Sequence, residues 1–183
     1  MIYYTSDLHL GHINVLRYDN RPFSTIEEMN RIIIDRWNAK VRDEDHIYIL
    51  GDFAYRTAVD PSYYLKQLKG RKHLIKGNHD KATIESKSAY KYLESIEGIE
   101  HIKDGNRNVI LCHFPIAEWN AMKRGSYHVY GHIHGREDDT YFFMKGRERA
   151  LNAGCMINDY EPVTLDELIV NNEKYRKQLE REN

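Results

Sequence analysis

Three short runs of mostly apolar, β-prone residues in the first half of the chain end alike. Residues 2–5 stop at Ser6 and Asp7, residues 47–50 at Gly51 and Asp52, and residues 73–76 at Gly77 and Asn78. Each predicts a strand that hands a carboxylate or an amide to the loop after it. Between them the pattern takes a helical period. Ser24 and Glu27 have capping-box spacing, and Ile26, Met29, Ile33 and Trp37 then recur on one face. Pro61 is placed to open a second, shorter helix ending near Gly70.

This β-α-β-α-β opening predicts an α/β layered fold whose strand ends, and so their polar residues, gather along one sheet edge. The second half differs. Residues 109–112, 127–130, 141–144 and 149–153 read as short strands joined by turns with little helix between them, which predicts a second sheet packed on the first. After Pro162, Thr164 and Glu167 repeat the capping-box spacing. Leu165, Leu168, Ile169, Tyr175 and Leu179 follow at roughly helical intervals, predicting a terminal amphipathic helix with a frayed, charged end. No repeat, low-complexity stretch or Pro/Gly/Ser-rich linker interrupts the chain, so residues 1–183 are expected to form a single domain.

Composition narrows the class. At 183 residues, 41% hydrophobic and 30% charged, the chain is long enough to bury a sizeable core. Lys and Arg total 27 against 28 Asp and Glu, which gives no global field for gripping a nucleic-acid backbone. Cys112 and Cys155 are far apart and form no CxxC pair, which suits a reducing compartment. No signal-like start is present, and no apolar run approaches the roughly 20 residues that span a bilayer. The expectation is a soluble, cytoplasmic protein without a membrane partner, of open oligomeric state.

Five stretches carry candidate chemistry: SDLH with Asp7 and His9, GD with Asp52, GNHD with Asn78 and His79, CHFP with His113, and GHIH with His132 and His134. Most are flanked by glycine, which lets backbone and ligand approach closely. In an extended chain, residues two apart share a face, so Asp7 with His9, and His132 with His134, could each present two ligands to one centre. Oxygen and imidazole donors without thiolates suit manganese, iron, zinc or nickel better than a cysteine-zinc site or a calcium cage. Seven candidates (Asp7, His9, Asp52, Asn78, His113, His132, His134) exceed what one tetrahedral ion uses, whereas two ions sharing a carboxylate would use them all. Such a pair can hold an attacking hydroxide while neutralising phosphoryl oxygens.

The ordered set DxH, GD, GNHD, a lone histidine and GHxH resembles the calcineurin-like metallophosphoesterase superfamily, over Asp7 to His134. SDLHLGH, NRPF at residues 20–23 and HFP resemble its compact microbial and phage-like branch. The resemblance implies a four-layered αββα sandwich with two mixed sheets and a dinuclear centre at the strand ends, manganese being its first-choice metal. It implies that Asp7, His9 and His134 hold one metal, that Asn78, His113 and His132 hold the other, and that Asp52 bridges. His79 would meet substrate and protonate or stabilise the departing oxygen, with Asp80 supporting its imidazole. The implied activity is a phosphodiesterase on a small or nucleotide-like substrate. A phosphomonoesterase, a nuclease acting on nucleic acid (not favoured), and a non-catalytic binding module are the alternatives.

Without a large cap, specificity falls to short loops. Arg21, Arg56, Lys81, Lys123, Arg124 and Arg136 are the cations considered for phosphate contact, and His12, Arg21 and Arg56 are taken as substrate candidates. His46, His73, His101 and His128 match no ligand position and are expected to be structural or on the surface. Cys112 is expected to be a buried small hydrophobe. Trp119 and Tyr127 are expected to pack rather than stack on a base.

Overall fold

The computed structural model describes the backbone of residues 1–182 and the side chains of residues 1–178. Its strands are β1 (Ile2–Thr5), β2 (His46–Ile49), β3 (Arg71–Ile75), β4 (Leu93–Glu97), β5 (Ile99–Asp104), β6 (Arg107–Cys112), β7 (Tyr127–Tyr130) and β8 (Ala150–Asn152). Its α-helices are α1 (Val15–Tyr18), α2 (Ile26–Lys40), α3 (Ser62–Leu65), α4 (Lys81–Glu85), α5 (Asp139–Lys145) and α6 (Leu165–Glu182). The strands form two four-stranded sheets in the order β1-β2-β3-β4 and β5-β6-β7-β8. The first is wholly parallel, so the expectation of two mixed sheets holds only for the second, where β5 runs antiparallel to β6.

Alternation along the strands builds the layers. Tyr3, Ile47, Ile49 and Leu74 pack with Ile26, Met29, Ile33 and Trp37 of α2, giving the first helix-on-sheet layer. Their neighbours Tyr4, Tyr48, Leu50 and Ile75 turn the other way and meet Val109, Leu111, Val129 and Leu151, which is the seam between the sheets. Ile110, Tyr130 and Ala150 then point outward to Tyr141 and Met144 of α5. The result is the α/β sandwich expected from the resemblance.

Several details differ from the sequence reading. The capping box of α2 lies one residue later than Ser24 and Glu27: Thr25 Oγ1 accepts from Glu28 N at 3.1 Å, while the Glu28 carboxylate accepts from Ser24 N at 2.7 Å. The Thr164–Glu167 box forms as expected, with the Glu167 carboxylate accepting from Thr164 N at 2.7 Å. The helix after Pro61 is a single turn that stops at Leu65, short of Gly70. Residues 141–144 are helical. Asp138 caps the Tyr141 N–H at 3.1 Å, and Tyr141 and Met144, three apart, are the residues the helix buries. Strands β4 and β5 escaped the reading because they are short, polar and half-exposed, with Gly98 between them. The Leu179 side chain, and the fraying expected of that end, lie outside the described side chains.

Candidate metal centre

Every candidate ligand sits past the C-terminal end of a strand that runs parallel to at least one neighbour in its sheet. Asp7 and His9 follow β1, Asp52 follows β2 and Asn78 follows β3, while His113 follows β6 and His132 and His134 follow β7. Parallel order puts those ends on one edge, and packing of the sheets brings the two edges together.

The local backbone is unusual. Asp7, His9, Asp52, His132 and His134 all have positive φ, between 51° and 70°. Non-glycine residues pay steric strain there, about 1–2 kcal/mol each, so the surrounding fold must impose it. These are not extended residues, so the two-apart rule does not set the grouping, although Asp7 and His9 still share one group of donors. His132 and His134 part company, each joining a different group of donors.

The first group comprises Asp7, His9, Asp52 and His134, with ligand atoms all within 4.8 Å of one another. His9 Nε2 lies 3.3 Å from His134 Nε2 and 3.5 Å from Asp52 Oδ2, and His134 Nε2 lies 3.6 Å from Asp7 Oδ1. The second group surrounds Asn78 Oδ1, which is 3.0 Å from His113 Nε2 and 2.9 Å from His132 Nδ1. His113 Nε2 also lies 3.8 Å from Asp52 Oδ1, so Asp52 reaches both groups with different oxygens.

The donor chemistry fits cations. His113 Nδ1 faces the Leu50 carbonyl at 2.7 Å, so this nitrogen carries the ring proton and the lone pair on Nε2 points at the Asn78 oxygen. Two acceptors facing each other at that range call for a positive ion between them. Asp7 and Asp52 are both essentially buried. Burial pushes the Asp7 carboxyl above its usual range, against the lowering effect of His134 and His113, and drives His9 far below the ordinary histidine value. A divalent ion supplies the countercharge such buried groups lack.

Glycines make room for this crowding. A Cβ on Gly77 would collide with the Asp52 carboxylate, and one on Gly131 would collide with the Ser6 hydroxyl and stand 2.8 Å from Asp7. Gly77 is therefore required for close approach rather than for a left-handed turn.

Asp80, expected to support the His79 imidazole, is used otherwise. Its Oδ2 accepts from Asp52 N at 2.9 Å and Gly77 N at 2.8 Å, and its Oδ1 accepts from Phe53 N at 2.9 Å. Burial raises its pKa to about 6 even against these three hydrogen bonds. It ties the Gly51–Phe53 turn to the Gly77–Asp80 turn. The His79 backbone N–H in turn donates to Asp52 Oδ1 at 2.9 Å.

Arg21 is likewise not free for a substrate phosphate. It is 4% exposed and donates to the carbonyls of Asp7 (2.7 Å) and Leu8 (2.9 Å) and to Asp19 Oδ2 (3.0 Å). Asp19, absent from the sequence reading, accepts from His134 Nδ1 at 2.7 Å and so fixes which nitrogen of that ring faces the centre. Its only sequence signal is an acid two residues before the arginine of NRPF.

Above the ligands lies a cleft of two lobes that share Tyr18, Asp19, His79 and His134. One, of about 320 Å³, is lined by Asp52, Asn78, His132 and Arg136. The other, of about 270 Å³, is lined by His9, His12, Val15, Tyr55 and Arg56. Lys81 is exposed beside Glu85, and Arg124, next to Lys123, lines a separate cavity with His101 and Lys103. His46 and His73 pair with each other at 2.9 Å, and Trp119 is buried with its Nε1 donating to the Ser126 carbonyl.

A two-sheet α/β scaffold with carboxylate, amide and imidazole donors converging at its strand ends defines a candidate metal centre. The model of the calcineurin-like phosphoesterase superfamily domain matches residues 1–168, and the chain belongs to that superfamily of metal-dependent phosphoesterases. It is 34% identical over 170 residues to the uncharacterized protein MJ1445 of Methanocaldococcus jannaschii, covering 92% of this chain and 89% of that one. It is 28% identical over 160 residues to the Gene 66 protein of Mycobacterium phage D29, covering 74% of this chain and 79% of the relative. Archaeal and phage relatives agree with the compact microbial and phage-like branch. The fold also matches the crystal structure of AQ665, a protein of unknown function from Aquifex aeolicus, with a TM-score of 0.73 at 24% identity, covering 91% and 96% of the two chains.

Proposed function

We propose that the protein is a phosphodiesterase acting on a small or nucleotide-like substrate at a two-metal centre, with manganese the preferred ion and iron, zinc or nickel as alternatives. The observation that carries this reading is Asp52, whose two oxygens face two separate donor groups on the floor of one cleft. Asp7, His9 and His134 would hold one ion with Asp52, and Asn78, His113 and His132 the other. Bound there, such ions activate water and neutralise phosphoryl oxygens.

The chain's own residues do the rest. His79 stands where the lobes meet, placed to give a proton to the departing alkoxide as the bond from phosphorus to that oxygen breaks. His12 and Arg56 on one side and Arg136 on the other are positioned to contact substrate. Two lobes flanking the centre favour a diester, which has two arms, over a monoester, which has one. The intact proton donor counts against a non-catalytic binding module. Cys112 and Cys155 are buried and unpaired, which supports a reducing, cytoplasmic setting, and among the described residues no helix is long and apolar enough to cross a membrane.

The test compares manganese-dependent hydrolysis of bis-p-nitrophenyl phosphate with that of p-nitrophenyl phosphate. The expected result is faster diester turnover, lost by at least about 100-fold in Asp52→Asn, and lost in His79→Ala with bound metal retained. Preference for the monoester would replace this reading with a phosphomonoesterase.

A further inference from the structure

The two lobes of the cleft differ in kind. The smaller is walled by rings: His12 and Tyr55 meet edge to face with centroids 4.9 Å apart, Tyr55 lies 4.1 Å from His79, and Tyr18 stands 6.3 Å from His12. Tyr18 is 63% exposed at the mouth, an aromatic face left open to whatever enters. Arg56 lies over the Tyr55 ring at 5.2 Å. The larger lobe is polar. Its Arg136 is anchored through hydrogen bonds to the Ile133 and His132 carbonyls at 3.3 and 3.4 Å.

Size limits what the ring-walled lobe can hold. At about 270 Å³ it falls below the roughly 300–1,000 Å³ of whole small-molecule sites, so it accommodates one arm of a diester rather than the entire substrate. The proton donor decides which arm. His79 lines both lobes, but its ring contacts, Tyr55 at 4.1 Å and His9 at 5.5 Å, are walls of this one, which assigns the oxygen it protonates to the group seated here. The opposite lobe, lined by Asn78, His132 and Arg136, is left for the phosphoryl group and the arm that stays.

We infer that the lobe formed by His12, Tyr18, Tyr55 and Arg56 is a specificity pocket for the leaving arm, and that it selects a planar aromatic group of nucleoside type. This rests on the phosphodiesterase reading above. Water adds to phosphorus, the bond to the nucleoside oxygen breaks, that oxygen takes the His79 proton, and the products are a free nucleoside and a phosphomonoester of the second alcohol. An aromatic face can stack on any base, so the pocket selects planarity rather than one base.

The experiment uses two methyl phosphodiesters that differ in the other arm, thymidine through its 5′ oxygen or n-butyl, with products separated by chromatography. Manganese-loaded wild type is expected to favour the thymidine diester in kcat/KM and to release thymidine and methyl phosphate. In Tyr18→Ala, chosen because the side chain is exposed and its loss spares the core, the thymidine-to-butyl ratio of kcat/KM is expected to fall at least about fivefold, the low end of base–aromatic stacking. Arg56→Ala is expected to lower the same ratio. Release of methanol and thymidine monophosphate, or equal kcat/KM for the two arms, would overturn the pocket assignment while leaving a phosphodiesterase in place. Failure to hydrolyse even bis-p-nitrophenyl phosphate would remove both.

Discussion

Asp19 touches no candidate metal position directly, yet it governs one. Its carboxylate accepts from His134 Nδ1 and is held in turn by Arg21, which also clamps the carbonyls of Asp7 and Leu8. Burial alone would raise the Asp19 pKa, but His134 and Arg21 outweigh it and hold the carboxyl below its usual range. Asp19→Asn keeps the shape and removes the charge. Manganese affinity measured by titration calorimetry is expected to drop about 10- to 100-fold, and unchanged affinity would mean that packing alone orients His134. The ligand types and their order were legible at this scale because a metal needs particular atoms. What was hidden is the conformation delivering them. Five left-handed backbones leave no mark on side-chain chemistry, and a partner such as Asp19, or the turn-to-turn tie made by Asp80, depends on distances between segments remote in sequence.

At the scale of elements, β7 secures the loop that follows β6 through one residue. His128 is fully buried, faces the Ile110 carbonyl through Nδ1 at 3.1 Å, and accepts from Ile116 N through Nε2 at 3.1 Å. Burial pushes its pKa down to about 4, which hydrogen bonding to the Ile110 and Phe114 backbone only partly opposes. The folded state thus keeps the ring neutral while the unfolded chain takes up a proton below about 6.5. The stability His128 contributes is present above that pH and is lost as pH falls toward 4. In urea titrations, the stability difference between wild type and His128→Asn is expected to shrink by about 2 kcal/mol from pH 7 to pH 5, and a constant difference would contradict the burial of a neutral ring. Elements with strong periodicity or a capping box, such as α2 and α6, were readable from sequence. Helix α5 was not, because its run of two Phe between Tyr141 and Met144 also suits a strand, and only the Asp138 cap and the outer face of the second sheet decide the matter.

For the whole molecule, the centre is where the two sheets meet. Neither half of the chain carries a complete donor group: Asp7, His9 and Asp52 need His134, and Asp52 and Asn78 need His113 and His132. A metal that binds only the docked sheets stabilises the fold by mass action, about 2.7 kcal/mol at free metal 100-fold above its Kd. Stripping the protein with a chelator is expected to lower Tm by about 5–10 °C for a chain of this size, followed by circular dichroism, and an unmoved Tm would mean that the ion adds nothing across the seam. The same seam has a kinetic consequence. Donors from both halves come together only once the sheets have closed, so for a transition state in which the sheets are still apart the ion acts almost wholly on escape from the native state. Metal supply then sets how long a molecule lasts once folded, not how quickly it gets there.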